Sequence, residues 1–286
     1  MALVESFASL RDRTAELIEF LVANGIRVHP SSRLPQYLKQ LNAAAKVDGV
    51  TVPKELDLAI WHRCLIEVDD LNLVARSLSA APEVAGWKDA VSCALRGGVV
   101  RTDEIKHSPA RDIQFELIIA SMFRRAAYQV ELAEPDVVLT SETPPIGVAA
   151  KRPRSLNNLD NIIGDADKQI ARSGLHGILA LDLSLVVAPT DAHISTTDFH
   201  EAFKRVKEIA NGFILRNGDH VRSLVDASHT FGLIAHVAVP IFDAVTPRLA
   251  YGRRWAISNL CALDDARTAT LRAMAERLGE AEGVED

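Results

Sequence analysis

The chain has 286 residues, a net charge of −6, an apolar content of 48% and a mean hydropathy of +0.07. This length and this apolar content suit a globular protein with one large domain or two smaller ones. A chain with a pI of about 5.9 is not a general nucleic-acid coat protein. A more local contact with nucleic acid is still compatible with this charge, because it needs only a basic groove.

The sequence shows neither an export signal nor a membrane span. Glu5, Arg11 and Asp12 interrupt the region where a signal peptide requires an apolar stretch. No apolar run approaches the roughly 18 residues that a membrane helix needs. The cysteines are far apart and form no CxxC or Cys/His motif, which favours reduced thiols. We therefore expect a cytoplasmic protein that does not enter the membrane.

Apolar residues at helical spacing, with Gly or Pro near the ends, predict helices throughout the first hundred residues. The predicted helices span residues 4–24, 34–45, about 53–78 and about 82–95. A charged segment with two glycines, Gly97 to His107, follows them and is predicted to separate a helical domain (1–100) from a second domain (106–286). We expect few contacts between the first domain and the sheet of the second, and proteolytic cleavage near Gly97–Lys106.

Helical and β-type patterns alternate in the second domain. The predicted helices are residues 109–127, 158–172, 197–216, which ends at Asn217-Gly218, 219–227 and 264–280. The predicted strands are Val130–Leu132, Val137–Thr140, Ile146–Lys151, Gly177–Val187, Gly232–Phe242 and Tyr251–Ala262. This alternation predicts an α/β fold in which helices flank a mixed sheet.

Three charged residues interrupt the first part of this pattern. Glu116 lies within an otherwise apolar helix, and Asp136 follows Pro135 at the start of a strand. Lys151 ends the hairpin partner of that strand. Because paired strands lie only about 5 Å apart, Asp136 and Lys151 are predicted to be close together.

This order of residues resembles the PD-(D/E)xK nuclease superfamily, whose members have the restriction-endonuclease-like fold. The resemblance covers roughly residues 108–187 and includes Gln169, which is similar to the glutamine on the following helix in one branch of the family. It implies an Mg²⁺- or Mn²⁺-dependent DNA nuclease of a restriction, repair or phage-defence type. Asp136 and Glu116 would bind the metal, Lys151 would contact the phosphate and Gln169 would support them. Cleavage of both DNA strands would favour a homodimer.

The residue two positions before the lysine departs from the family pattern, because the acid of the acid-x-Lys motif is Ala149 here. One interpretation is that the acid has migrated, with Asp165 as the first candidate and Asp160 as the second. Asp165 and Gln169 are four residues apart and share a helix face. Alternatively, the site is silent and the domain only binds nucleic acid or a protein partner, or the alanine was introduced to trap a complex.

A basic cluster follows the lysine directly. Arg152 and Arg154 adjoin the predicted site, so we interpret them as nucleic-acid-binding residues that contact phosphate. An ordinary charged loop is the alternative interpretation. We expect Glu116, Asp136 and Lys151 to converge on one cleft with Arg152 and Arg154 at its rim.

Overall fold

A computed structural model of the chain describes residues 2–44, 58–81, 83–98, 108–187, 194–243, 249–262 and 266–282. Within these ranges the fold is α/β, and eight strands form one mixed sheet. The strands are β1 (Ala2–Glu5), β2 (Val130–Glu131), β3 (Val137–Leu139), β4 (Ile146–Lys151), β5 (His176–Asp182), β6 (Ile194–Thr196), β7 (Thr230–Asp243) and β8 (Leu249–Asn259). The helices are α1 (Phe7–Ala23), α2 (Arg33–Ala44), α3 (Leu58–Ser79), α4 (Trp87–Ala94), α5 (Pro109–Arg125), α6 (Leu159–Ser173), α7 (Ser184–Val187), α8 (Phe199–Leu224) and α9 (Ala266–Glu282), with a short 3₁₀ turn at Leu156–Asn158.

The strand order is β1-β8-β7-β5-β4-β3-β2, and β6 pairs with the far end of β7. The centre of the sheet is parallel, since β4 pairs with β5 and β5 pairs with β7 in the same direction. Both flanks are antiparallel: β3 and β2 continue from β4, and β8 and β1 continue from β7. The carboxyl ends of β4 and β5 therefore lie side by side, next to the start of β3.

Each face of the sheet has its own apolar core, because successive strand residues point to opposite faces. Val148 and Ala150 of β4 belong to the cluster formed with α1 to α5 and α9. Ala149, between them, belongs to the cluster formed with α6 and α8. Burial of this kind on both faces explains why β4 and β5 are almost continuously apolar.

The first hundred residues do not stand apart from the sheet. Ala2–Glu5, whose last two residues were predicted to begin the first helix, is strand β1 and pairs with Leu249–Gly252 of β8. Helix α3 packs against α5, β7 and β8, and its apolar side chains join the same core as those of the sheet. The expectation of few contacts between helices and sheet is therefore wrong. The predicted boundary falls mostly in residues 99–107, outside the described residues, so the cleavage site stays a prediction.

Two further element predictions need correction. The strand predicted over Gly177–Val187 ends at Asp182, because the Asp182 carboxylate accepts hydrogen bonds from the backbone and hydroxyl of Ser184 and turns the chain. The helix break predicted at Asn217-Gly218 is absent from α8. Its buried face extends to Val221, and this packing outweighs the cost of about 1 kcal/mol for a glycine inside a helix.

The structure confirms the other predicted helices and strands to within a few residues, apart from the segment 45–57, which lies outside the described residues. The helix predicted to begin near Pro82 begins later, at Trp87. A glycine with a φ of 76°, Gly86, precedes it.

Candidate active site

The hairpin of β3 and β4 brings Asp136 and Lys151 together. Val137 pairs with Val148, and continuing this register by one residue places Asp136 opposite Ala149. The Asp136 carboxylate accepts two hydrogen bonds through Oδ2, one from the Ala150 backbone N–H at 2.8 Å and one from Lys151 Nζ at 2.8 Å. The charged pair is partly buried, with 12% of the Asp136 side chain and 25% of the Lys151 side chain exposed.

A glycine in β4 allows this approach. A Cβ atom added to Gly147 would lie 2.8 Å from Cδ of Pro135, which is closer than two carbon atoms can pack. The missing side chain therefore lets Pro135 lie against β4. Because Asp136 is the next residue, this contact also sets the position of its carboxylate.

Helix α6 supplies the third partner of Asp136. Gln169 Nε2 donates to Asp136 Oδ1 at 2.9 Å and also to the backbone oxygen of Pro135. Both oxygens of the carboxylate are thus held by donors from β4 and α6. The structure places Gln169 in direct contact with the residue that it was predicted to support.

A cleft of about 570 Å³ opens beside this pair, between α5 and the start of α6. Glu116 of α5 and Lys151 of β4 face each other across it. Asp112 lies one helical turn before Glu116 and lines the same wall. The full lining is Asp112, Glu116, Ala150, Lys151, Arg152, Arg154, Ser155, Asn158 and Ile162.

Two carboxyl groups near Lys151 have a raised pKa: Glu116 lines the cleft, whereas Asp136 contacts Lys151 but is not among the residues that line it. Burial and the nearby charge of Asp136 raise the pKa of Glu116 to about 7, although Lys151 opposes the shift. Burial also raises the pKa of Asp136, against the charge and hydrogen bond of Lys151. One lysine therefore does not compensate both acids, and the site favours the uptake of a proton or another cation.

Glu116 and Asp136 are the residues that would bind a divalent cation, but the donor set is small. Among the described residues, no group of three or more His, Cys, Asp or Glu side chains is arranged to hold a metal ion. Mg²⁺ is often bound by one or two carboxylates together with substrate phosphates. The side chains present therefore fit a cation that is held jointly with a phosphate group.

Ala149, which stands where the family pattern has an acid, is buried and does not open onto the cleft. Ala149 is fully buried in the apolar cluster that includes Leu159, Ile163 and Ala166 of α6. Although Ala149 faces the same side of the sheet as Lys151, helix α6 covers it.

Neither candidate for a migrated acid points to the cleft. Asp165 lies on the exposed face of α6, with 75% of its side chain exposed, and pairs with Lys168 at 3.5 Å. Asp160 pairs with His220 of α8 at 2.9 Å. The prediction that Asp165 supplies the missing carboxylate is therefore wrong. A shared helix face does not ensure that residues one turn apart reach the same site.

The two arginines after the lysine both line the cleft, but they have different partners. Arg152 donates from Nε to the buried carboxylate of Asp182 at 2.9 Å. Arg154 lies near Asp112, whose charge opposes the lowering of the Arg154 pKa by burial. With Lys151, these side chains make a basic wall opposite the acids of α5.

Sequence reasoning missed Asp112, Asp182 and His236. His236 lies inside an apolar strand and donates from Nδ1 to Asp182 Oδ1 at 3.1 Å. Two signals were present: an acid directly ends the apolar run of β5, and a single histidine interrupts the apolar run of β7. Residues at the carboxyl ends of adjacent parallel strands lie at one edge of a sheet, where sites commonly form.

No protein-family model matches this sequence, and neither the curated proteins nor the solved structures contain a significant match to the chain. Over the described ranges, no helix combines the length and the apolar character that crossing a membrane would require.

Proposed function

We propose that the chain has the restriction-endonuclease-like fold and acts as a metal-dependent nuclease on DNA at the cleft of Glu116, Asp136 and Lys151. One observation carries this proposal: two incompletely compensated carboxylates and a lysine meet beside a basic wall at the carboxyl end of β4. The hairpin of β3 and β4, with α5 before it and α6 joining β4 to the parallel strand β5, supports the fold assignment.

The side chains divide the work of phosphodiester hydrolysis among them. Glu116, whose pKa is about 7, would lose its proton and hold a divalent cation together with a phosphate oxygen. Lys151 can donate from Nζ to a phosphate oxygen, and Arg152 can bind the neighbouring oxygens. A bound Mg²⁺ or Mn²⁺ would supply charge neutralisation at the phosphate and a water of lowered pKa. Asp136, held by Gln169, keeps Lys151 in position.

Cleavage of labelled single-stranded and double-stranded DNA, with Mg²⁺, with Mn²⁺ and with a chelator, tests the proposal. We expect cleavage only with a divalent cation. Lys151→Ala and Glu116→Gln should each lower the rate by about 10²-fold or more, because each removes a charge that stabilises the reacting phosphate or its cation. Asp165→Asn, which changes an exposed acid outside the cleft, is the matched control and should cleave normally. Cleavage that survives Lys151→Ala and Asp136→Asn would remove this site from consideration.

The burial of Ala149 favours a second candidate function, in which the domain binds DNA or a protein partner without cutting. The acid position is occupied by apolar packing against α6, which an inactive domain can tolerate. On this view the native chain binds DNA but does not cleave it with either metal. Ala149→Glu would not readily restore cleavage, because its carboxylate would enter the packed face of α6 and cost stability.

The proposal extends to cellular location and assembly. A cytoplasmic location agrees with Cys64, Cys93 and Cys261, which are all free thiols. A homodimer stays a prediction, which the molar mass of the chain with and without double-stranded DNA would test by light scattering.

A further inference from the structure

Arg152 has a dual environment that the proposed chemistry does not explain. Arg152 lines the cleft next to Lys151, and its Nε donates to the carboxylate of Asp182 at the end of β5. Only 13% of the Arg152 side chain and 9% of the Asp182 side chain are exposed. An arginine that served only to hold nucleic acid at a surface would not need a buried carboxylate behind it.

Asp182 is itself fixed by several donors. Ser184 donates to Asp182 Oδ1 from its backbone N–H at 3.1 Å and from its hydroxyl at 2.5 Å. Because the Ser184 hydroxyl oxygen accepts from the Ala238 backbone N–H at 2.9 Å, its own hydrogen is left to point at Asp182. These contacts occupy Oδ1 and leave Oδ2 facing Arg152.

His236 completes the support from the neighbouring strand. Its Nδ1 lies 3.1 Å from Asp182 Oδ1, and the ring packs 4.1 Å from the Trp255 ring and 5.7 Å from the Phe115 ring, measured between centroids. Burial would raise the pKa of Asp182, but the hydrogen bond and charge of His236, with the charge of Arg152, lower it well below the ordinary range. Asp182 therefore stays ionised at any working pH.

We propose that Asp182 is a positioning residue, which holds the guanidinium of Arg152 so that its terminal nitrogens bind phosphate oxygens in the cleft. An arginine can serve both partners because its Nε and its terminal nitrogens are separate donors in one rigid plane. A lysine carries its three donors on one flexible nitrogen and lacks the rigid plane that would hold one donor on Asp182 and direct the others to a phosphate. This inference rests on the proposed function only in requiring that the cleft binds DNA.

The proposal and simple electrostatics predict opposite signs for one substitution. Asp182→Asn removes a negative charge near the cleft, and charge alone predicts tighter binding of DNA. If Asp182 positions Arg152, binding should weaken, because the asparagine amide cannot offer acceptors to Ser184 and His236 and also to Arg152.

Affinity for a fluorescent DNA oligonucleotide, measured by anisotropy over a salt series with a chelator present, tests this without requiring cleavage. We expect Arg152→Gln to weaken binding about tenfold and to lower the salt slope by about one phosphate contact. Asp182→Asn should weaken binding similarly, and the double variant should be no weaker than Arg152→Gln alone. Asp165→Asn, which removes an exposed acid, is the charge-matched control and should bind as tightly as the native chain or more tightly.

Arg152→Lys keeps the proposal testable if Asp182→Asn does not fold. It retains the charge, yet it should bind DNA more weakly than the native chain, because a lysine lacks the rigid planar fork that Asp182 positions. Native affinity in Arg152→Lys, unchanged or tighter binding in a folded Asp182→Asn, or additive losses in the double variant would each overturn the positioning role alone. A native chain that binds no DNA would instead overturn the proposed function, and the positioning role with it.

Discussion

Two clusters of acidic and basic residues lie on the α5 side of the molecule, and they differ in how well their carboxylates are balanced by cations. In the first, which we call the α3 network, Glu67 contacts Arg33 at 2.8 Å, Arg111 at 3.1 Å and Tyr37 at 2.8 Å. Burial would raise the pKa of Glu67, but these arginines outweigh it and lower the pKa to about 2. In the cleft, Glu116 has a pKa of about 7.

The difference lies in how completely each carboxylate is compensated. Glu67 is surrounded by cations, and the α3 network continues through Asp70 to Arg253 of β8, so it joins the N-terminal helices to the sheet. Glu116 faces Lys151 but also the like charges of Asp136 and Asp112. We conclude that the first cluster stabilises the fold, whereas the second contains a carboxyl group whose raised pKa is a common feature of functional sites.

The largest expected effect is a loss of stability on substitution within the α3 network. Glu67→Ala would leave Arg33 and Arg111 buried without their carboxylate, and such a loss typically costs about 3–5 kcal/mol. We expect the free energy of unfolding in urea to fall by that order. Glu83→Ala is the matched control, because Glu83 pairs with Arg124 at 2.7 Å but is 58% exposed. Its loss should stay below about 1 kcal/mol, and equal losses in the two variants would contradict the comparison.

Glu116→Gln should have the reverse effect, stabilising the chain at alkaline pH. The unfolded carboxyl group titrates near 4.5 and the folded one near 7, so the folded state binds more protons between these values. Stability from this group is therefore full below the unfolded pKa and is lost as pH rises through the folded pKa. We expect the variant to be more stable than the native chain at pH 8 by on the order of 2 kcal/mol, and equally stable near pH 4. Identical pH profiles would show that Glu116 is not perturbed.

If the cleft is the proposed site, cation binding should further distinguish it from the α3 network. Mn²⁺ must displace the proton of Glu116, so its affinity in the presence of a non-cleavable DNA analogue should fall roughly tenfold per pH unit below 7. Calorimetry at pH 6 and pH 8 measures this. Glu116→Gln should remove the pH dependence, and Asp165→Asn should leave it intact. Binding that is independent of pH in the native chain would exclude Glu116 as a ligand.

The smallest expected effect is a gain in stability that should leave DNA binding at the cleft unchanged. Gly164 lies inside α6, and a Cβ atom added there would meet no atom within 4 Å. Gly164→Ala should stabilise the chain by about 0.5–1 kcal/mol, measured by urea unfolding, without changing DNA affinity. A changed affinity would show that the geometry of α6 at Gln169 is coupled to this position.

Local pattern was sufficient for the hairpin and for its charged pair. The dipeptide Pro135-Asp136 before one strand and Lys151 at the end of the next predicted that these side chains would meet, because antiparallel pairing leaves little freedom once the turn is short. The alternation of apolar strands and helices likewise predicted the mixed sheet. In contrast, local pattern misplaced β1, because a short edge strand depends on its partner strand. That partner, β8, lies 244 to 250 residues later in the chain, since Glu5 pairs with Leu249 and Ala2 with Gly252.

Sequence by itself determined which elements form, and which acids and bases lie at the ends of strands, because periodicity and turn chemistry are properties of neighbouring residues. Only the tertiary structure decided which of these charged groups are buried and which are paired with an opposite charge. Packing of α6 buried Ala149 and left Asp165 in solvent, and the approach of β5 and β7 gave Arg152 the support of Asp182 and His236. A pKa depends on burial and on charges brought together from distant parts of the chain, and no local pattern contains that information.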